Sequence, residues 1–247
     1  MSSVLEMHDV YAGYVVDIDI LRGVSLKIES GAITGLIGLN GAGKSTIMKT
    51  ICGFLRPHAG RIALYEADIT AFAAHEMIDR GICYIPQESS LFPAMSVKDN
   101  LRLALDHLAR RRNGLTRHDV ATRFDDMFAK FPILRERRLI QAGNLSGGQQ
   151  KMIEFAKACL QRPRLCLIDE PSIGLSPKLA AEVYRWIELL AAEQMAILLV
   201  DHNVRRVLQM SRYVYVLSLG KIVAEGPPEA FAGDLHQQVK EWLGVNL

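Results

Sequence analysis

The chain has 247 residues, of which 49% are hydrophobic and 23% are charged, and its formal net charge is +2. These proportions are those of a globular protein and exclude an intrinsically disordered chain. The weak positive charge does not favour a dedicated nucleic-acid binder, and no run of apolar residues is long enough to predict a membrane span. The first residues lack the features of a signal peptide and the four cysteines form no close pair, so we expect a protein of the reducing cytoplasm.

Short apolar runs along the chain predict buried strands. They do not alternate with polar residues, which is typical of parallel strands covered on both faces. Because helical patterns lie between the runs, the sequence predicts an α/β fold. A hairpin is predicted over 213–223, and Pro227-Pro228 is expected to open short terminal helices. The apolar runs are 32–37, 82–85, 165–168 and 196–200.

The segment after the first run fits the phosphate-loop pattern G-x-x-x-x-G-K-[ST] in full. Glycines let backbone N–H groups close around a phosphate chain, and the following helix offers its positive N-terminal end. We expect Lys44 to neutralise the β- and γ-phosphate oxygens and the Ser45 hydroxyl to ligate Mg²⁺. Ile47, Ile51 and Phe54 are predicted to share one face of that helix. The loop reads Gly38-Leu39-Asn40-Gly41-Ala42-Gly43-Lys44-Ser45-Thr46.

Two acids end the third apolar run, Asp169 and Glu170. A buried strand that ends in acids places charge at its carboxyl end, where open α/β sheets bind ligands. Asp169 is expected to hold Mg²⁺ through water, and Glu170 to activate the attacking water as a general base. Phosphoryl transfer needs mainly positioning and charge stabilisation, so two acids with separate tasks are enough.

The interval from residue 88 to 162 has a different character and predicts a mostly helical insertion in the α/β body. Ser96 with Asp99, and Thr116 with Asp119, have the spacing of capping boxes at two helix starts. Apolar residues at helical spacing then predict three helices in this interval.

One further motif, Leu145-Ser146-Gly147-Gly148-Gln149, lies between the phosphate loop and the two acids. With these three motifs the chain resembles the ATP-binding cassette (ABC) family over essentially its whole length. The resemblance implies an ATP hydrolase with a RecA-like P-loop NTPase core, an antiparallel β subdomain and a helical insertion subdomain. It implies a single ABC ATPase domain over 1–247, with the catalytic core in 1–87 and 163–247 and the helical signature subdomain in 88–162.

The resemblance also implies roles for individual residues, with ATP and Mg²⁺ as cofactors. Tyr14 would stack on adenine, Gln87 would sense Mg²⁺ and water, and His202 would face the γ-phosphate as the switch histidine. The implied catalytic residues are Glu170, His202, Gln87 and Lys44. The implied metal ligands are Ser45, Gln87 and Asp169. The implied nucleotide-binding residues are Tyr14, Asn40, Gly41, Ala42, Gly43, Lys44, Ser45, Thr46, Ser146, Gly147, Gly148 and Gln149.

In the family the signature segment works across a dimer interface. Ser146, Gly147 and Gly148 precede a helix and would form a second anion-binding end, which closes on the ATP held by the other protomer. Two ATP molecules are then buried in a head-to-tail dimer with two-fold symmetry. Ser176 departs from the pattern, because most members have an aspartate there that they use across the interface.

The resemblance implies a partnership with separate transmembrane permease subunits and with a second ATPase subunit, either another copy or a paired homologue. The chain would then be cytoplasmic and peripheral on the inner face of the cell membrane, with no span of its own and no nucleic-acid partner. Leu91, Phe92 and Met95 follow the glutamine and would suit a groove for a helix of the permease. The alternative is that these three side chains pack inside.

Segments of this chain resemble two branches of the family. The segments 136–138, 142–150 and 169–177 resemble the smaller ATPase subunit of branched-chain (hydrophobic) amino acid importers. The segments 85–89 and 201–205 resemble the ATPase of lipopolysaccharide export. We favour the importer because its matches are longer, and the lipid exporter is the alternative. A non-transport ABC ATPase is a further alternative, but the chain has one cassette and no room for a long coiled coil. An ordinary P-loop kinase or GTPase leaves the signature segment unexplained.

Overall fold

The computed structural model describes residues 3–15, 17–109 and 114–231. The chain divides into two compact units. The first contains the residues up to Tyr84, the segment Arg164–Glu170 and the residues from Ala191 onwards. The second contains Ile85–Pro163 and Pro171–Leu190.

The strands alternate with helices along much of the chain, as an α/β fold requires. The strands are β1 (Ser3–Ala12), β2 (Leu21–Glu29), β3 (Ile33–Gly38), β4 (Ala59–Leu64), β5 (Ala67–Asp68), β6 (Ile82–Ile85), β7 (Leu165–Asp169), β8 (Ala196–Val200), β9 (Tyr213–Ser218) and β10 (Lys221–Gly226). The helices are α1 (Lys44–Ile51), α2 (Ala74–Met77), α3 (Val97–Ala109), α4 (Arg117–Lys130), α5 (Pro132–Glu136), α6 (Gly147–Gln161), α7 (Pro177–Ala192) and α8 (Val204–Met210). Short 3-10 helices cover Ala142–Asn144 and Pro228–Phe231.

A six-stranded sheet forms the centre of the first unit, in the order β10-β9-β3-β8-β7-β6. Strand β8 pairs in parallel with both β3 and β7, and β3 also pairs in parallel with β9. All four predicted apolar runs are strands of this sheet, and the predicted hairpin is the antiparallel pair β9–β10. The parallel pairing brings the carboxyl ends of β3, β7 and β8 to one edge.

A second sheet of the first unit is antiparallel and has the order β2-β1-β4-β5. Its inward residues share one buried cluster with α1 and the central sheet, including Leu5, Val24, Ile47, Leu167 and Leu198. The antiparallel β region that the resemblance implied is therefore present. Burial of this one core fixes the loop after β3 relative to the ends of β7 and β8.

Helices dominate the second unit, and α3, α4, α5 and α6 lie in the interval 88–162, where helices were predicted. Both predicted capping boxes form: Asp99 N–H donates to Ser96 Oγ at 3.1 Å, and Asp119 N–H donates to Thr116 Oγ1 at 3.1 Å. The ring of Trp186 on α7 lies 5.6 Å from that of Phe155 on α6. This aromatic contact joins α6 and α7 within the unit.

The structure corrects the prediction for Phe54. Helix α1 ends at Ile51, and Phe54 lies beyond it with 64% of its surface exposed. Gly53 follows the helix with φ of +70°, and the Phe54 N–H donates to Lys49 O at 2.9 Å. This is a Schellman ending, which turns the chain away before Phe54 reaches the buried face. The terminal helices predicted after Pro228 lie largely outside the described residues.

Candidate active site

The phosphate-loop segment joins β3 to α1 in the first unit, as the motif predicts. Gly41 and Gly43 have φ of +81° and +110°, which side chains rarely allow. A Cβ on Gly38 would lie 2.4 Å from Leu217 O, so the start of the loop also requires glycine. No described side chain caps α1 at Gly43, so the first N–H groups of the helix remain available to an anion.

The Lys44 side chain folds back over this loop. Its Nζ donates to Gly38 O at 2.8 Å and to Leu39 O at 2.9 Å, and only 6% of the residue is exposed. Burial lowers the pKa of Lys44, and the carboxylates of Glu170 and Asp169 oppose that shift. Two neutral carbonyls thus hold the ammonium beside the loop. An anionic ligand would bind the ammonium more strongly than these carbonyls do, because the hydrogen bond would then be charge-assisted.

Asp169 ends β7 and is 2% exposed. Its Oδ2 accepts a hydrogen bond from the hydroxyl of Tyr84 at 3.1 Å. Its Oδ1 is buried and has no hydrogen-bond partner among the described residues. Burial, followed by the charge of Asp169, raises the pKa of Tyr84, so this hydroxyl stays a donor. An unpaired buried carboxylate oxygen is costly unless a cation or its water meets it.

Glu170 is the next residue and leaves the strand in an unusual conformation. Its φ is +45°, a conformation that costs a non-glycine residue about 1–2 kcal/mol. Its backbone N–H donates to Val200 O at 2.8 Å, so pairing with β8 holds it there. Strain of this kind persists where the surroundings over-determine it and is concentrated at functional sites.

His202 lies directly after β8, and its Nδ1 is 3.7 Å from Glu170 Oε2. The turn that presents it is built locally. The Asn203 N–H donates to Asp201 Oδ1 at 2.9 Å, and Asn203 Oδ1 caps α8 by accepting from the Arg206 N–H at 3.2 Å. The His202 side chain is 48% exposed, so the ring is positioned by its backbone but open to a ligand.

The first unit therefore brings together Lys44, Asp169, Glu170 and His202. Sequence reasoning did not identify Tyr84 as part of this cluster. Its hydroxyl meets Asp169 because β6 and β7 are neighbours in the sheet, although 84 and 169 are far apart in the sequence. Tyr14 is 54% exposed, and the Lys49 ammonium lies 5.5 Å from the centre of its ring.

The predicted signature residues and Gln87 belong to the second unit. Ser146 is the N-cap of α6, where its Oγ accepts from the Gln149 N–H at 3.4 Å. A Cβ on Gly148 would lie 2.1 Å from Leu179 Cδ2, so packing against α7 excludes a side chain there. A Cβ on Gly147 would meet no described atom within 4 Å. Gln87 is exposed, and it lines the same cavity as Gly147.

Residues 21–173 match the family model described as ABC transporter. The chain belongs to the ABC transporter family. The ATP-binding domains of this family hydrolyse ATP, so the predicted ATP hydrolase activity and the predicted fold are confirmed. The chain closely matches the structure of the ADP conformation of MJ1267, an ATP-binding cassette of an ABC transporter. The TM-score is 0.83 at 28% identity, over 98% of this chain and 98% of that one.

Curated relatives of this ABC ATPase include members of two groups. The lipopolysaccharide export system ATP-binding protein LptB of Escherichia coli is 35% identical over 228 residues, 92% of each chain. The probable branched-chain amino acid transport ATP-binding protein LivF of Archaeoglobus fulgidus is 34% identical over 216 residues, 87% of this chain and 88% of that one. BraG of Pseudomonas aeruginosa, a high-affinity branched-chain amino acid transport ATP-binding protein, is 32% identical over 215 residues, 87% of this chain and 89% of that one.

Proposed function

We propose that this ABC ATPase is the motor subunit of a transporter and drives separate permease subunits by ATP-dependent dimer closure. The observation that carries the proposal is the group of Lys44, Asp169 and Glu170 at one edge of the central sheet. In this proposal Lys44 leaves the two loop carbonyls and neutralises the phosphates of ATP, and Glu170 accepts a proton from the attacking water. His202 supports the γ-phosphate, close to Glu170.

Mg²⁺ fits the oxygen donors that the first unit offers, Asp169 and Ser45. The unpaired Oδ1 of Asp169 is a hard oxygen donor of the kind that Mg²⁺ prefers, directly or through water. The Ser45 hydroxyl at the start of α1 would supply a further oxygen ligand, and Gln87 is the third proposed ligand. The ion would neutralise phosphate charge, while the chain supplies its ligands and the general base.

The exposed ring of Tyr14 suits a stacking role for adenine. More than half of its surface is open, and an aromatic face accepts a purine without a fixed hydrogen-bond pattern. We propose that Tyr14 binds the base, and that residues 40–46 bind the phosphates.

The signature segment is proposed to bind the ATP of a second subunit, in a head-to-tail dimer. Gly147 supports this role, because neither its backbone conformation nor its neighbours require a glycine. A residue without a side chain at the exposed N-terminus of a 15-residue helix leaves space for an anion to approach the N–H groups. Ser146 and Gln149 would complete this contact.

Replacing Ser146 with arginine tests the composite site. We expect the variant monomer to bind ATP normally but to form no ATP-dependent dimer, because a bulky side chain then occupies the second anion site. Size-exclusion chromatography with light scattering measures this in a Glu170→Gln background, where ATP persists. Ser96→Arg is the matched control, since it removes the capping box of α3 instead. A dimer of normal size from the Ser146→Arg variant would contradict the composite site.

The segment after Gln87 is the proposed contact with the permease. Phe92 is 55% exposed, whereas Leu91 and Met95 are partly buried. Asn100 holds this segment in place, since its side chain is fully buried and bonds to both the N–H and the carbonyl of Phe92 at 2.9 Å. An anchored loop that presents one large apolar side chain suits docking of an apolar helix. No helix in the described ranges could itself cross a membrane.

We propose that the transporter takes up branched-chain or other hydrophobic amino acids. The signature and post-acid segments favour this reading, and LivF and BraG are relatives over most of the chain. Lipopolysaccharide or lipid export is the second candidate. It is supported by the LptB relatives, which match slightly more of the chain, and by the presence of both Gln87 and His202. Either way the proposed place is the inner face of the cell membrane.

The importer and the exporter can be distinguished by the proteins that bind this chain. The chain is pulled down from native membranes in mild detergent, and the bound proteins are identified by mass spectrometry. The importer predicts multi-span permeases together with a second, longer ATPase. Envelope lipid-export components without a second ATPase would establish the exporter instead. Recovery of no membrane protein would contradict the transporter proposal as a whole.

A further inference from the structure

Three charged side chains on one face of helix α6 form hydrogen bonds with the segment that contains Gln87. Lys151, Glu154 and Lys157 follow one another at intervals of three residues, so they lie on the same side of the helix. All three contact residues 86–90, which follow β6. Gln87 lies between the two points that they hold, Pro86 and Ser90.

Glu154 is the buried member of this group, with a side chain only 2% exposed. Its Oε1 accepts hydrogen bonds from the Ser90 N–H at 2.7 Å and from the Ser90 hydroxyl at 3.5 Å. The Lys157 Nζ donates to Ser90 O at 3.1 Å. Both backbone groups of Ser90 are thus bonded to α6. A buried carboxylate is costly unless it is paired, so its position demands these partners.

Lys151 holds the other end of the segment. Its Nζ donates to Pro86 O at 3.0 Å and lies 2.8 Å from Glu154 Oε2, with the side chain 11% exposed. The Lys151 ammonium and the Glu154 carboxylate form a largely buried ion pair. One lysine therefore links the residue before Gln87 to the acid that holds Ser90.

A cavity of about 200 Å³ lies at this junction. Gln87, Gly147, Lys151 and Glu154 all line it. Gly147 is the first residue of α6 and Lys151 is one turn further along the same face. One small cavity is therefore bordered by the signature end of α6, by Lys151 and by Gln87.

We propose that Lys151 and Glu154 are positioning residues that fasten the glutamine segment to the signature helix. Gln87 and the N-terminus of α6 then move as one piece. The proposal rests on the proposed function, in which Gln87 serves the ATP of its own subunit and the signature serves the ATP of the partner. When the signature segment binds the ATP of the partner subunit, this connection would determine the position of Gln87 at the ATP of its own subunit.

The first test is the substitution Lys151→Met, which keeps the length of the stem and removes both contacts. We expect kcat for ATP to fall by about tenfold or more, as when residues that orient a ligand group are lost, with KM unchanged. Lys151→Arg keeps a cation in reach of the Pro86 carbonyl and should restore most of kcat. Glu154→Gln keeps an acceptor for Ser90 without the charge and should have an intermediate effect. Asp125→Asn, which breaks the exposed ion pair with Arg135 on α4 and α5, is the control.

A second test asks whether the lysine acts through Gln87. Against a Gln87→Ala background, Lys151→Met should cause no further loss of the residual kcat, because residues that act as a unit are not additive. Melting temperatures of all variants are measured in parallel. An equal further loss in the Gln87→Ala background, or a normal kcat for Lys151→Met, would overturn the proposal.

The outcomes also separate this proposal from the proposed function. If Glu170→Gln hydrolyses ATP normally, the proposed active site itself is wrong. If Glu170→Gln is inactive while Lys151→Met behaves as the wild type, only the positioning role fails.

Discussion

Replacing Glu170 with glutamine should lower ATP turnover by about 10²–10⁴-fold, the usual cost of losing a positioned general base. Glutamine has the size of glutamate and cannot accept the proton of the attacking water. The backbone N–H of residue 170 would still donate to Val200 O, and the side chain would still lie near His202. The fold and the phosphate loop are therefore expected to remain unchanged.

The same variant should bind ATP with normal affinity and accumulate as a dimer. ATP affinity depends on Lys44 and the loop, which the substitution leaves intact, while the bound nucleotide is no longer consumed. Phosphate release measures turnover, and light scattering with and without ATP measures the dimer. Glu188→Gln on the exposed face of α7 is the matched control and should behave as the wild type. Unchanged turnover in Glu170→Gln would remove Glu170 from the role of general base.

Replacing Lys44 with alanine should abolish useful ATP affinity. Loss of a buried charge partner costs about 2–5 kcal/mol, so we expect the dissociation constant to rise by roughly 30-fold or more. Lys44 is the cation at the loop that is proposed to bind the phosphates. Among the described residues, no other cation donates to Gly38 O or Leu39 O. Titration calorimetry with ATP measures the change.

Two further variants separate charge from packing. Lys44→Met retains the buried stem and removes the charge, so it should lose affinity as Lys44→Ala does. Lys27→Ala breaks an exposed ion pair with Glu6 in the same unit and should leave ATP binding unchanged. Normal ATP binding by both Lys44 variants would contradict the phosphate site.

Local patterns in the sequence predicted much of this structure. The capping boxes at Ser96 and Thr116 formed because both partners lie within one turn of a helix. The four apolar runs were recognisable as strands because burial on both faces removes polar alternation. Phe54 was placed wrongly on a helical face, although Gly53 directly before it is the ordinary signal of a helix end.

The contacts that the sequence did not reveal join residues distant along the chain. Tyr84 meets Asp169 through the order of strands in the sheet, and Glu154 meets Ser90 through the packing of α6. Neither pair has a fixed spacing, so a single sequence contains no pattern that would connect them. The strained φ of Glu170 has the same origin, because it follows from pairing with Val200.

Mixing two inactive variants tests whether one catalytic site is shared between two copies of the chain. Glu170→Gln retains its signature segment, and Ser146→Arg retains its catalytic glutamate. In a mixed head-to-tail dimer, the intact glutamate of one subunit faces the intact signature of the other and rebuilds one complete site. We predict that ATP turnover appears when the two variants are combined without nucleotide and then given ATP. Turnover no higher than the sum of the separate variants would contradict a site shared between two copies of this chain.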